Sequence, residues 1–209
     1  MQQSGALSIE VKVLLGLATA ALVVSGIGPK DGLTWFFETL PIMLGLVLLI
    51  WTRRRFPLTP LLYRLLFLHA LILALGGHYT YAEVPLGFWL QDLFDLSRNH
   101  YDRLGHIAQG FVPAILVREI LVRRSPLAGS RWLPVLTVSV CLAFSAFYEL
   151  LEWWAAVALG ADADAFLATQ GDPWDTQWDM FLALSGALAA LLLLTRLHDR
   201  QLARLVESP

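Results

Sequence analysis

Six apolar stretches divide this chain, and each is about as long as a helix that crosses a bilayer. An α-helix rises about 1.5 Å per residue, so about 20 residues cross the roughly 30 Å of hydrocarbon. Backbone polar groups find no water there, and a helix satisfies them internally. The stretches comprise residues 9–28, 34–52, 58–80, 104–122, 132–157 and 177–195. The sequence therefore predicts an all-α, polytopic membrane bundle of about six transmembrane helices.

Composition supports a membrane protein and excludes several other classes. The chain is 57% hydrophobic and only 15% charged, which is too apolar for a soluble domain of 209 residues. Its length suits one helical domain over residues 1–209. The formal net charge of -2 gives no reason to expect nucleic acid as a partner. The sequence contains no phosphate-binding loop, dinucleotide fingerprint, GxSxG or HExxH motif, which disfavours nucleotide-driven chemistry.

Charged residues are divided unequally between the two ends of the predicted helices. Twelve of the 15 Lys and Arg residues fall at one end, so that end is predicted to be cytoplasmic, together with both termini. Thirteen of the 17 carboxylates and three of the five histidines fall at the other, which we call the outer end. Acidic residues contribute little to the orientation rule. Their concentration at the outer end therefore needs an explanation of its own.

Three pairs of polar residues at helical spacing indicate where a site lies. Charged side chains inside a membrane are costly, so those that occur there usually mark a functional site. Glu149 and Glu152 share one helix face and lie deep, with Glu149 about 10 to 15 Å below the predicted exit of its helix. The three pairs, all at outer ends of neighbouring helices, are Asp102 with His106, Glu149 with Glu152, and Asp175 with Asp179.

Four long strings resemble the YjdF family of bacterial inner-membrane proteins. They are GGHYTYAEVPLG at 76–87, RNHYDRLGHIAQGFVPA at 98–114, FYELLEWW at 147–154 and TQGDPWDTQWDM at 169–180. The resemblance covers most of the chain from about residue 35 onward. It implies a multi-pass protein of the bacterial inner membrane, but it does not indicate which reaction, if any, the protein catalyses.

A more distant resemblance links the chain to VanZ-like membrane proteins, which are associated with glycopeptide resistance. It consists of a basic residue and His in one helix, an acidic pair in the next, and Asp followed by small residues in the last. In this sequence that order is Arg103 and His106, then Glu149 and Glu152, then Asp179 with Gly186. Glu152 stands where a Gln is commoner, so the match is partial.

The first interpretation of the polar residues is a metal-dependent enzyme. His and carboxylate ligands suit a divalent Zn, Mn or Fe ion. Water activated beside Glu149 or Glu152 would then hydrolyse a lipid-linked ester or phosphate, with Arg98 and Arg103 holding the anionic head group. The candidate metal ligands are His78, His100, Asp102, His106, Asp175 and Asp179.

Two alternatives remain open on the sequence alone. The cluster can bind or transport a cation, a proton or a small polar ligand without chemistry, although His69 is the only titratable group predicted midway across the membrane. It can also be a structural network in which the basic groups simply pair with the acids. Against that network, thirteen acids face only two Arg, one Lys and three His. The favoured prediction is a membrane protein, in contact with lipid, that carries an outward-facing His/carboxylate site.

Overall fold

The computed structural model describes residues 8–160 and 167–207, and within them every regular element is helical. The polytopic membrane bundle predicted from the sequence is thereby confirmed. The elements are α1 (Ile9–Ser25), α2 (Gly32–Thr52), α3 (Pro60–Tyr79), a 3-10 turn (Tyr81–Glu83), α4 (Pro85–Phe94), α5 (Tyr101–Arg124), α6 (Trp132–Leu159) and α7 (Asp175–Glu207).

Each predicted apolar stretch contains a helix. Five of these helices, α2, α3, α5, α6 and α7, are long and apolar enough to cross a membrane. The remaining one, α1, has 17 residues, which is the lower limit for a transmembrane helix. It ends at Ser25, earlier than predicted, and packs against α3. The short helix α4 exposes Trp89 and Phe94 at the outer end, as expected for a segment in the membrane interface.

Two membrane helices begin at side chains that cap their first turn. Asp31 accepts a hydrogen bond from the backbone N–H of Thr34 at the start of α2, and this bond lowers the pKa of the Asp31 carboxyl. Thr59 caps α3 by accepting from the backbone N–H of Leu62, with Pro60 in the first turn. Such caps satisfy backbone donors that have no partner within the helix. They fix where α2 and α3 enter the bilayer.

Helices α5 and α7 form the closest contact in the bundle, and glycines make it possible. A Cβ at Gly110 of α5 would overlap the carbonyl oxygen of Ala183, and one at Gly186 of α7 would overlap the carbonyl oxygen of Ile107. Small residues let membrane helices approach to backbone contact in this way. The contact brings the outer turns of α5 and α7 side by side.

A second buried network joins α3, α5 and α7 near their cytoplasmic ends. Glu119 of α5 is fully buried and accepts hydrogen bonds from the backbone N–H and hydroxyl of Thr59 and from Arg123. His198 Nε2 lies 3.0 Å from the Glu119 carboxylate, and His198 Nδ1 lies 3.0 Å from Arg118. This network was not predicted, because α7 continues well past residue 195, where its apolar stretch ends. The described contacts of Glu119 suit a structural role.

Replacing Glu119 by Ala should destabilise the bundle strongly. The change removes an acceptor from His198, Thr59 and Arg123, and breaking a buried pair by removing one partner costs about 3–5 kcal/mol. The free energy of unfolding should be measured in mixed detergent micelles. The control is Glu10→Ala, which removes the exposed ion pair with Arg64 and should change stability far less. Equal losses in the two variants would contradict a structural role for the network.

Candidate metal centre at the outer end

His106 is the centre of a buried group of carboxylates contributed by three helices. His106 Nε2 lies 3.5 Å from Asp102 Oδ1 and 3.7 Å from Asp179 Oδ1, and His106 Nδ1 lies 4.0 Å from Glu149 Oε1. Potential ligand atoms of Asp102, His106 and Asp179 all lie within 4.8 Å of one another, as do those of His106, Glu149 and Glu152. We call these five residues the His106 cluster.

Helix geometry explains how these residues meet. Asp102 and His106 are four residues apart in α5 and therefore face the same direction, and Glu149 and Glu152 do so in α6. Asp179 is one turn into α7 and reaches His106 because Gly110 and Gly186 hold α5 and α7 together. The five residues thus come from three helices: those of α5 and α7 lie in the first two turns, and Glu149 lies ten residues before the end of α6.

Three carboxylate oxygens of the cluster have no hydrogen-bond partner among the residues that the structure describes. They are Asp102 Oδ2, Glu149 Oε1 and Asp179 Oδ1, and all three atoms are buried. Buried polar atoms are nearly always satisfied, and an unsatisfied one costs about 1–3 kcal/mol, more when it is charged. Three such atoms, on the acids that surround one imidazole, therefore make this cluster a candidate site for a cation or a polar ligand.

The distances around the imidazole suit a metal ion better than direct hydrogen bonds. Hydrogen bonds from nitrogen to oxygen are usually about 2.7–3.2 Å long, which is shorter than the 3.5 Å and 3.7 Å found at His106 Nε2. Two ligand atoms each about 2.1 Å from one tetrahedral ion lie about 3.4 Å apart. The distances from Nε2 to Asp102 Oδ1 and to Asp179 Oδ1 are therefore close to the spacing of a metal's ligands.

Gln109 orients the imidazole from the opposite side. Its Oε1 atom lies 3.0 Å from His106 Nδ1, so a proton at Nδ1 is donated to Gln109. The lone pair of Nε2 then faces Asp102 and Asp179. Histidines that bind metals commonly donate their other ring N–H to such an acceptor. Gln109 lies three residues after His106, on the same face of α5, and this spacing was the signal that could have identified it.

The two predicted substrate-binding arginines are already paired with acids. Arg98 NH1 lies 2.8 Å from Asp175 Oδ1 and 3.4 Å from Asp172 Oδ2. Arg103 NH2 lies 3.0 Å from the same Asp172 oxygen, and its guanidinium group lies over the ring of Trp178. These ion pairs attach the segment before α7 to the start of α5. Asp175, predicted as a metal ligand, is therefore an ion-pair partner in the structure.

Two predicted histidine ligands lie apart from the cluster. His78 Nδ1 is 2.9 Å from the backbone carbonyl oxygen of Ser25, so His78 links the ends of α1 and α3. His100 precedes α5, where burial and the nearby Arg103 and Arg98 lower the pKa of its imidazole. Neither histidine belongs to a potential metal group among the described residues. Of the six predicted ligands, only Asp102, His106 and Asp179 come together.

Glu38 and two tyrosines extend the site in a way that the sequence did not predict. A polar cavity of about 60 Å³ lies beside His106, with Glu38, Tyr81 and Tyr148 in its lining. Tyr148 donates a hydrogen bond of 3.3 Å to Glu38 Oε2. Burial raises the pKa of Tyr81, which keeps its phenol protonated as a donor. Glu38 lies in α2, and hydropathy does not show which helix it faces.

Comparisons with known proteins agree with the resemblance to the YjdF family and do not show the one to VanZ-like proteins. The chain is 56% identical over 186 residues to the inner membrane protein YjdF of Escherichia coli (strain K12), and the match covers 89% of each chain. This relative confirms the predicted location in the bacterial inner membrane. No solved structure matches the chain. A family model described as "Predicted membrane protein (DUF2238)" matches residues 11–200, and the chain therefore belongs to this family of membrane proteins.

Proposed function

We propose that this protein binds a divalent metal ion with Asp102, His106 and Asp179 and uses it to hydrolyse an ester or phosphate bond of a lipid-linked substrate. One observation carries the proposal: Asp179 Oδ1, a buried oxygen with no hydrogen-bond partner among the described residues, and Asp102 Oδ1 both lie at metal-ligand spacing from His106 Nε2. Three ligands of this type suit Zn, Mn or Fe. The position of the cluster inside the membrane boundary supports a lipid-linked substrate for this reaction.

Charge balance supports a bound cation. Burying a carboxylate without a partner is expensive in a medium of low dielectric constant. The nearest arginines, Arg98 and Arg103, are engaged by Asp172 and Asp175. A divalent ion held by Asp102, Asp179 and His106 would supply two positive charges. It would therefore offset the repulsion within the cluster.

The number of ligands favours catalysis over a purely structural metal site. Structural zinc sites usually have four protein ligands, whereas catalytic sites have three and leave one position open. When bound, a divalent ion lowers the pKa of water and polarises the bond that is attacked. Glu152, on the α6 side of the cluster, accepts the proton of the attacking water and returns it to the oxygen that leaves. The products are an acid and an alcohol.

Removing His106 should abolish metal binding, whereas removing His78 should not. Both histidines lie at the outer end, but only His106 belongs to a potential metal group. The metal content of detergent-purified wild type, His106→Ala and His78→Ala should be measured by elemental analysis after dialysis against Zn²⁺ or Mn²⁺. About one ion per chain is expected in wild type and His78→Ala. Circular dichroism checks that the variants fold, and wild type without bound metal would refute the proposal.

Replacing Gln109 by Ala should weaken metal binding without abolishing it. Loss of the acceptor at Nδ1 leaves the ring orientation unsupported, and loss of such an outer partner typically lowers metal affinity by about 10–100-fold. Gln109→Glu keeps an acceptor and should bind at least as tightly as wild type. Competition with a chromogenic chelator measures both affinities. If Gln109→Ala binds metal as tightly as wild type, then Gln109 does not orient the imidazole of His106.

Glu152→Gln should separate metal binding from hydrolysis. The amide keeps the size of the side chain but cannot accept the proton, and loss of a general base typically slows a reaction by about 10²–10⁴-fold. Hydrolysis of a fluorogenic glycerophospholipid in mixed micelles should be compared between the metal-loaded wild type and Glu152→Gln. The control, Glu83→Gln, changes an exposed acid that pairs with Lys30 outside the cluster. Metal content should be equal in all three proteins.

A further inference from the structure

The polar cavity beside His106 has a lining that attracts positive charge. It has a volume of about 60 Å³, and three of its lining residues are acids: Glu38, Asp102 and Glu152. None of the lining residues that the structure describes is Lys or Arg. Carboxylates that share one space in a medium of low dielectric constant favour a cation between them. The cavity therefore favours an occupant that carries positive charge.

One divalent ion leaves negative charge on this side of the His106 cluster. Its two positive charges match the carboxylates of Asp102 and Asp179, which are the acids proposed to hold it. Glu38 and Glu152 line the cavity together with Asp102 and are additional carboxyl groups. Glu38 is only 6% exposed, so bulk water screens its charge poorly. A further positive charge in the cavity would therefore be stabilised by acids that the metal leaves unmatched.

Two buried atoms of the cavity lining residues lack a hydrogen-bond partner among the described residues. They are Asp102 Oδ2 and His69 Nε2. Asp102 Oδ1 is the oxygen that lies 3.5 Å from His106 Nε2, so Oδ2 is left over when Oδ1 binds the metal. A carboxylate oxygen and an imidazole nitrogen without a proton both accept hydrogen bonds, and leaving them unsatisfied is costly. A cation with several N–H donors would satisfy both atoms.

His69 marks the end of the polar lining towards the cytoplasm. Beyond it the cavity is continued by an apolar cleft of about 200 Å³, and the two spaces share Pro41, His69, Leu73 and Phe144. Apart from His69, only Tyr63 brings a polar side chain to the lining of the cleft. A charged group is costly in surroundings of hydrocarbon. A cation is therefore held above the cleft, on the side of the His106 cluster.

The size of the cavity and its mixed acceptors favour a primary ammonium group over other cations. A volume of about 60 Å³ holds about two water-sized groups, each of about 30 Å³. A methylene carbon with its –NH₃⁺ group is about that size and offers three N–H donors. Ions such as Ca²⁺ and Mg²⁺ prefer oxygen ligands, whereas an N–H donor also satisfies the nitrogen of His69. The rings of Tyr81 and Tyr148 in the same lining suit a cation as well.

We propose that this cavity binds the primary ammonium group of an ethanolamine phospholipid, with N–H bonds to Asp102 Oδ2, His69 Nε2 and Glu38. The inference rests on the proposed function for a lipid-linked substrate and identifies the head group of that substrate. Because a two-carbon linker joins the ammonium to the phosphate, the phosphate lies beside the metal position when the ammonium is in the cavity. Phe144 lines the cavity and is 49% exposed, so the cavity reaches the lipid-facing surface of the bundle.

The ammonium site is tested first with methylammonium chloride as the probe. Thermal unfolding of the detergent-purified protein is followed at pH 7 with equal concentrations of methylammonium, tetramethylammonium or potassium chloride, so that ionic strength is constant. Zn²⁺ is present throughout, which keeps methylammonium from the position proposed for the metal. Only methylammonium should raise Tm, because a ligand at ten times its Kd favours the folded state about elevenfold. Tetramethylammonium has no N–H donor and exceeds the cavity.

Variants assign the methylammonium effect to the cavity. Glu38→Gln keeps the size of the side chain and removes its charge, and His69→Leu removes the unpartnered nitrogen. Each should raise the Kd for methylammonium about tenfold, as expected for the loss of one hydrogen bond to a charged group. The matched control is Asp92→Asn, an exposed acid on α4 outside the cavity, which should leave Kd unchanged.

Two results of these titrations would overturn the inference. The first is a wild type whose Tm responds equally to methylammonium and potassium, which would indicate general screening or an inorganic cation. The second is an equal Kd in Glu38→Gln, His69→Leu and Asp92→Asn. The wild-type comparison of the three salts stands even when a variant does not fold.

A competition between two lipids tests whether the ammonium belongs to a phospholipid. Native mass spectrometry measures the lipid bound to delipidated protein from an equimolar mixture of phosphatidylethanolamine and phosphatidylcholine with identical acyl chains. The bound ratio should be about ten in wild type and Asp92→Asn, and about one in Glu38→Gln, because choline has no N–H donor. A ratio of one in a wild type that binds methylammonium would assign the site to free amines and overturn the lipid.

A failure of this inference is distinguishable from a failure of the proposed function. A wild type that binds Zn²⁺ but shows no response specific to methylammonium would remove the ammonium site and leave the metal site. A wild type that binds no Zn²⁺ but shows methylammonium binding that depends on Glu38 would remove the metal site and leave the ammonium site.

Discussion

Carboxylates placed together in a medium of low dielectric constant repel one another unless positive charge or hydrogen-bond donors lie between them. The outer end of this bundle depends on that constraint. The contact of α5 with α7 at Gly110 and Gly186 brings Asp179 to His106, and Asp102 and Glu149 complete the group. Arg98 is engaged elsewhere, by Asp172 and Asp175. The packing of the helices thus gathers a group of buried carboxylates that a bound cation would stabilise.

The cytoplasmic end shows what a structural network looks like in the same molecule. Glu119 is as deeply buried as any acid of the outer cluster, yet hydrogen bonds from Thr59, Arg123 and His198 reach both of its oxygens. Asp179 has an oxygen with no such donor among the described residues. Since the chain can supply donors to a buried acid, an acid oxygen of the outer cluster that has none among the described residues argues for an external partner.

The sequence predicted the elements well and their mutual contacts only in part. Hydropathy located the helices, and spacing along a single helix correctly paired Asp102 with His106. Helix packing decides which faces meet, and nothing in the hydropathy of α2 showed that Glu38 faces the same cavity as Tyr148. His198 was missed for a related reason, because apolar composition ends before α7 does. Local periodicity is visible in a single sequence, whereas helix-to-helix contact is not.

The lining of the bundle below the cluster bears on the transport alternative. A cation leaving His106 towards the cytoplasm would meet His69 and then the cleft, whose remaining lining is almost entirely hydrocarbon, with Tyr63 at its lower part. Removing a divalent ion from its oxygen ligands into such surroundings is prohibitively costly. Further down, the hydrogen bonds of Glu119 are already made within the protein. The polar groups therefore favour a ligand that stays at the outer end.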